Sequence, residues 1–406
     1  MRVTNRQTID YVVDNDLCHG CGVCEDICPK YSIEFAEKNY LNIPQINYET
    51  CINHKGCDLC FRVCPGHSVD INYASVSDST AETKREDPFI GPHMACYTGW
   101  SSNYEIRYHS ASGGVLSQFL IFLIEHGIID GAVVTRFSDQ NPLRTTSYIA
   151  TNREEVLAAK SSKYCPVSLN GMAREIKKFN GKVAIVGLPC HIAGMRKMSN
   201  IDKRLSKKVV GYFAIYCSST RNYKAIDFLL RKRGLKRGEV KSFAFRDDGC
   251  LGSMKIITDN TVFKEKYTQY NRRLRSFFKP RRCTFCADHY GMLADMSFGD
   301  IHLLPYFNEI GVNSIIIRDP NYDEYFKQAS SSGYLEIAEI ESSEINKSQT
   351  MMVKNREIIV PFNLCFEKLL GRKVPEYNIP FSKSVKIRGL YYWLSFSVQR
   401  VVGRWI

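Results

Sequence analysis

This 406-residue chain has no run of 18 apolar residues, so no segment is expected to cross a bilayer as a helix. Its first residues, MRVTNRQTIDYVV, lack the apolar stretch of a secretory signal, and a cysteine motif begins by residue 18. The expectation is a cytoplasmic chain whose thiols stay reduced, so its 16 cysteines read as metal ligands rather than disulfides. The dinucleotide signature G-x-G-x-x-G and the P-loop G-x-x-x-x-G-K-[ST] are both missing, which excludes the two commonest ways of holding a nucleotide. Tryptophan occurs three times, and no Asp or Glu lies between 377 and 406. What is present is ordinary globular composition, 44% apolar, which excludes a disordered or fibrous chain.

Charge divides the sequence. Residues 1–74 carry 6 basic and 10 acidic side chains, a net of −4, so the remainder must carry +17 of the overall +13. A small acidic module joined to a basic body is expected. The basic residues are spread out and no nucleic-acid motif appears, so nucleic acid is not expected as a partner.

The acidic module holds the strongest signal. Cys18-x2-Cys21-x2-Cys24-x3-Cys28-Pro29 is followed by Cys51-x5-Cys57-x2-Cys60-x3-Cys64-Pro65. A [4Fe–4S] cube needs four thiolates, three from one tight loop and the fourth, before proline, from the other motif. One cluster would take Cys18, Cys21, Cys24 and Cys64; the second would take Cys51, Cys57, Cys60 and Cys28. A zinc site would use paired CxxC units instead. The module resembles a two-cluster bacterial ferredoxin over about residues 9–75. It departs from that pattern in its five-residue spacer, 52–56, where a bulge turning at Gly56 is expected.

Beyond a polar linker at 76–92, apolar strand-like runs (131–137, 182–187, 208–216) alternate with helix-like ones (115–127, 188–198). That pattern predicts an α/β body with a mostly parallel, covered sheet behind an α+β ferredoxin-like module. The expected division is 1–75, then two body parts at 93–180 and 181–345, then a basic helical tail at 346–406. Cys190 and Cys217 fall at carboxyl ends of strands, where open α/β sheets bind ligands. With the Cys283-x2-Cys286 pair they make four thiols for a third [4Fe–4S] cluster. Cys96, Cys250 and Cys365 read instead as small apolar residues.

The segments SASGGV (110–115), SSKY (161–164), VAIVGLPCHIAG (183–194), AIYC (214–217), FRDDG (245–249), RCTFC (282–286) and ADMSFGD (294–300) occur in an order that resembles the beta subunit family of coenzyme F420 hydrogenases and dehydrogenases. The resemblance covers about residues 1–320. It implies a flavoprotein with FAD and a body cluster on Cys190, Cys217, Cys283 and Cys286. Departures lie at His191, where the family has Gln, at Ser218-Ser219 after Cys217, and at Asp247-Asp248-Gly249-Cys250. They leave the cluster ligands alone and the substrate open, with coenzyme F420 itself one alternative.

For FAD, Ser112-Gly113-Gly114 at a helix start offers backbone N–H groups to a pyrophosphate, with Ser162, Lys163 and Tyr164 as a second patch and Gly187 and Pro189 beside them. His191 is the candidate proton donor, against the plainer role of bonding backbone at a helix start. The expected activity is that of an iron–sulfur flavoenzyme. Electrons from a ferredoxin or redox partner subunit would reach a small organic substrate, with glycan assembly as one setting. The alternative is a subunit that only transfers electrons. In the tail, Ile387, Leu390, Leu394, Val398, Val401, Val402 and Trp405 repeat at helical spacing among Lys383, Lys386, Arg388, Arg400 and Arg404. Residues 384–406 are therefore expected to reach a membrane surface or to dock on the core or a partner.

Overall fold

The computed structural model describes residues 7–71, 85–379, 381 and 387–406. Most of the expected linker, and 384–386 of the tail, lie outside these.

The module opens with helix Ile9–Asp14 and carries the antiparallel hairpin β1 (Ile33–Lys38) and β2 (Leu41–Ile46), then the two-residue β3 (Ser68–Val69). In the long spacer a single turn, Asn53–Lys55, ends on Gly56 at φ 85°, the left-handed conformation glycine tolerates.

The body is built on an eight-stranded sheet. Its strands are β4 (Ala95–Ser101), β5 (Gly131–Phe137), β6 (Thr145–Ala150), β7 (Val183–Gly187), β8 (Val209–Ile215), β12 (Met296–Asp300), β13 (Asn313–Ile317) and β14 (Leu335–Glu339). Between β8 and β12 the chain makes a separate antiparallel sheet, β9 (Ser242–Asp247), β10 (Ser253–Ile257) and β11 (Val262–Lys266). The large sheet runs β14-β4-β13-β12-β8-β7-β5-β6.

Only the central ladders, β12–β8, β8–β7 and β7–β5, are parallel. The four flanking ladders are antiparallel, so the mostly parallel sheet expected is a mixed one. Connection length explains the difference. A parallel return needs a long crossover, usually a helix. Helix Pro189–Ile201 lies in the connection from β7 to β8. By contrast, β5 reaches β6 through residues 138–144, and no helix stands between β12 and β13.

Alternation along the strands feeds both faces. Ala132, Val134, Ala184, Val186 and Phe213 pack on one side with helices Val115–Glu125 and Pro320–Ser331. Val133, Val183, Ile185, Tyr212 and Ala214 pack on the other with Met172–Lys178 and Pro189–Ile201. Val23 and Val63 of the module join that second core, so the module sits directly on the sheet's helical layer.

The segment expected as a tail is more than a tail. Helix Val360–Leu369 and the following turn return to the module, where Leu364 and Val374 pack on its core. There β15 (Glu376–Tyr377) pairs parallel to β3. Helix Arg388–Trp405 then crosses the body, with Gly389 against Phe362 and Gly403 against Phe277.

Candidate functional site

The twelve thiols singled out in the sequence are all free of disulfides and fall into three groups. In the inner group, burial pushes the Cys21 thiol up to about 12, with Cys64 adding to it. Cys18 is raised by burial and then by Cys64 and Cys21; Cys24 by burial and then by Cys21, Cys64 and Cys18. In the outer group, burial takes Cys60 up to about 12, with Cys51, Cys57 and Cys28 pushing the same way. In the body group, Cys190 is raised by burial and then by Cys21, Cys217, Cys286 and Cys283, and Cys286 reaches about 11.

Four thiols crowded together are stable as thiolates only around positive charge, which is what an iron–sulfur core supplies. Backbone N–H groups already point at three of the sulfurs: Gly20 to Cys18, Ser32 to Cys28 and Gly66 to Cys64, each at 3.3 Å. The donor chemistry of all three groups fits [4Fe–4S] clusters.

The groups form a row. Cys60 of the outer group acts on Cys24 of the inner one. Cys21 of the inner group lies within electrostatic reach of Cys190 in the body. The loop between Cys18 and Cys21 carries His19, which shares one cavity with Cys190, Cys217, Cys283 and Cys286. His19 Nδ1 is buried with no hydrogen-bond partner among the described residues.

Local structure explains the body group. Cys190 follows Pro189, the first residue of its helix, just beyond the end of β7. Cys217 follows β8 and is pinned by its N–H to His289 O at 2.9 Å. Cys283 and Cys286 lie in and after the turn Arg281–Phe285. Cations lie among the inner and body thiols. Arg282 donates to Pro65 O, Gly66 O and the Tyr377 hydroxyl. Lys197 donates to Cys64 O and Ser68 O, and Lys279 lies within electrostatic reach of Cys283, Cys286 and Cys217. His19, Lys197 and Lys279 escaped sequence reasoning because no spacing marks them. Arg282 was visible only as a flank of the CxxC pair.

The other expected residues are placed differently. His191 is buried, and burial pushes its imidazole down to about 4. Nδ1 accepts from Leu188 N–H at 3.2 Å and Nε2 faces Val167 O at 3.2 Å, so both nitrogens fasten backbone. Its ring also packs on Gly187, where a side chain would collide. Lys163 donates to the carbonyls of Ala159, Lys160 and Ser161, which spends its ammonium on a loop. It therefore does not fit the expected role of steadying a flavin or phosphate. Ser112 donates to Val312 O at 2.7 Å, and the helix-start N–H of Val115 goes to Asn313 Oδ1. Gly113 lies so close to Gly99 O and Asn313 that no side chain fits. Cys96 is buried as expected of a small apolar residue, whereas Cys365 is exposed.

A second polar centre joins three of the motifs at the carboxyl end of β12. Arg246 of FRDDG donates to Asp300 of ADMSFGD at 2.7 Å and to the Tyr164 hydroxyl of SSKY at 3.4 Å. The Ser161 hydroxyl donates to Arg246 O.

Comparison with known proteins matches residues 17–69 to a 4Fe-4S dicluster domain. Residues 96–173 match the N-terminal part, and 180–343 the C-terminal part, of the coenzyme F420 hydrogenase/dehydrogenase beta subunit. A coenzyme F420 hydrogenase subunit beta from Methanosarcina barkeri is 25% identical over 264 residues, 63% of this chain and 85% of that one. A coenzyme F420-dependent sulfite reductase from Methanocaldococcus jannaschii is 26% identical over 336 residues, 78% of this chain; the match spans only 46% of that protein. The structure of the F420-reducing [NiFe] hydrogenase complex from Methanosarcina barkeri contains a chain of like fold. Its TM-score is 0.51 at 22% identity, covering 67% of this chain and 95% of that one. With both parts of the beta subunit matched in order behind a dicluster domain, the chain belongs to the coenzyme F420 hydrogenase/dehydrogenase beta subunit family.

Proposed function

We propose that the chain is an iron–sulfur oxidoreductase that receives electrons at the outer thiols of its module and delivers them at the carboxyl end of the body sheet. One observation carries this reading: His19, from the module's loop between Cys18 and Cys21, lines one cavity with Cys190, Cys217, Cys283 and Cys286, so the module meets the body thiols directly. Three [4Fe–4S] clusters on those groups would supply one-electron transfer when bound. Cys28, Cys51, Cys57 and Cys60 would hold the outer one, Cys18, Cys21, Cys24 and Cys64 the inner one, and Cys190, Cys217, Cys283 and Cys286 the one in the body.

The exposure of the thiols and the charge around them support this reading. The outer thiols Cys28, Cys51, Cys57 and Cys60 are half-buried, as are Cys190, Cys217 and Cys286 in the body, whereas Cys21, Cys24 and Cys64 between them are buried, so both ends of the row are open to a partner or substrate. Arg282, Lys197 and Lys279 place positive charge around the inner and body thiols. Such charge favours the reduced, more negative state of any cluster there.

FAD is the expected two-electron carrier of the body. At the start of helix Val115–Glu125, where its pyrophosphate is expected, the Ser112 hydroxyl and the Val115 N–H already bond Val312 O and Asn313 Oδ1, and Lys163 caps carbonyls. The Arg246–Asp300–Tyr164 centre is where an organic substrate would meet the end of the row.

A second reading makes the chain an electron-transfer subunit. It is favoured by relatives named as hydrogenase subunits, with a partner subunit then doing the chemistry.

Anaerobic preparation with iron, sulfide and flavin counted per chain tests the reading. About twelve irons are expected, falling to about eight in Cys190→Ser and in Cys283→Ser. The reduced protein should show magnetic interaction between neighbouring clusters. Eight irons in the unaltered chain, or three centres with no mutual interaction, would overturn it.

A further inference from the structure

The helix Arg388–Trp405 is bound to the body along one face only. Gly389 and Gly403 let its backbone touch Phe362 and Phe277, Trp393 Nε1 donates to Glu367 at 2.8 Å, and Ser276 N–H donates to Gln399 at 2.9 Å. Facing away is a continuous line of apolar side chains: Ile387, Tyr391, Leu394, Val398, Val401 and Trp405. All are exposed, from 48% for Leu394 to 85% for Trp405. The steps are four, three, four, three and four residues, so the line stays on one side of the helix. A folded chain does not leave such a stripe bare without a use for it. Leu369 and Leu370 are also exposed at the end of Val360–Leu369, the helix packed alongside through Phe366 and Trp393.

Charge selects the occupant. No acidic residue occurs from 377 to 406, and Arg388 and Arg404 are exposed on the helix. Lys368, Arg372 and Lys373 are exposed beside Leu369 and Leu370. A stripe with this spacing would also suit a paired helix. Two copies would then bring Arg388 and Arg404 together with no carboxylate on either helix to pair with them. The helix is also too polar to cross a bilayer, and among the described residues none qualifies as a span. An apolar line with aromatic rings near both ends, flanked by arginines, is the composition of a helix lying in an anionic lipid surface.

We propose that the face of Arg388–Trp405 carrying Ile387, Tyr391, Leu394, Val398, Val401 and Trp405 seats the protein on an anionic phospholipid surface. The body is held to the membrane by a helix that is itself already docked, not by a free tail.

The test uses the full-length, cluster-loaded chain in a flotation assay. The vesicles are phosphatidylcholine alone or phosphatidylcholine with an equal share of phosphatidylglycerol. The protein should rise with the anionic vesicles, stay down with the neutral ones, and be released by high salt. Leu394→Asp with Val398→Asp should cut the bound fraction by about tenfold or more, with iron per chain unchanged. Trp405 emission should shift to the blue on binding, a change lost in Trp405→Phe. The proposal fails if the unaltered chain ignores anionic vesicles, or if the double variant floats equally well. A dimer in solution that the double variant dissolves, with no vesicle binding, would assign the stripe to a second copy instead. Because iron content is read separately, failure here leaves the electron-transfer reading standing.

Discussion

At the residue scale, the thiols and the cations around them obey different rules of visibility. The ferredoxin spacing is a local constraint, since three sulfurs must converge from one loop. It can be read from residues 18–64 with no structure at all. Lys279 stands four residues before Cys283, but its approach to Cys217 as well is made by the fold and cannot be read from spacing. The same holds for His19, which meets Cys190 and Cys283 across the join between module and body. Lys163 shows the opposite error: its motif stands out in the sequence, yet its ammonium caps carbonyls. A prediction follows from the cations. Lys279→Gln removes a buried positive charge near Cys217, Cys283 and Cys286 while keeping most of its volume. The body centre should become harder to reduce, by on the order of 60 mV if the lost interaction is ~1.4 kcal/mol for one electron. The two module centres should stay put. Redox titration followed by electron paramagnetic resonance checks this, and an unmoved body potential would remove Lys279 from the account.

At the element scale, β5, β7 and β8 were legible as β-rich apolar runs, but the remaining strands and the direction of the ladders were not. Residues 296–300, noted in the sequence only as part of the ADMSFGD motif, read the same whether a neighbouring strand runs with them or against them. The short or helix-free connections that turn β13 and β6 back decide the matter. Long-range caps were equally hidden. Asp87, in a stretch read as linker, accepts from Phe89 N–H and Ile90 N–H at 2.8 and 2.9 Å. It also accepts from Ser342 and Asn346 of helix Ser342–Ser348. Burial alone would raise its carboxyl, but these four donors outweigh burial and hold it below the ordinary value. Asp87→Ala should cost about 1–3 kcal/mol at neutral pH by stranding those donors. The sign with pH follows from linkage. A depressed folded value gives stability that is present above the unfolded value near 3.9 and lost as pH falls through the folded one. The gap between wild type and Asp87→Ala should therefore narrow below about pH 4. Urea melts at neutral and acid pH decide this, and a gap of constant size would place the cost in packing rather than in the carboxylate.

At the scale of the whole molecule, a sequence with a ferredoxin motif, a polar stretch and a body invites a picture of two domains on a tether. The structure instead fastens the module to the body on several sides. Asp26 accepts from Gly171 N–H and Ala173 N–H at 3.0 and 2.8 Å, holding the start of Met172–Lys178. Arg282 clasps Pro65 and Gly66, Lys197 holds Cys64 and Ser68, and β15 lengthens β3. Gly22 and Gly194 bring backbones so close that a side chain at either would collide with the other part. Rigid fastening suits a row of electron carriers, because transfer over such a row depends on separations that must not drift. It also makes a definite forecast. With a specific protease site built into 76–80 of the cluster-loaded chain, cutting should leave the two pieces together on size exclusion at the mass of the intact protein. They should also unfold in a single thermal transition. Separation of a free module of about 75 residues would mean that the contacts of Asp26, Arg282 and Lys197 do not hold the join, and that the path from Cys21 to Cys190 opens and closes in solution.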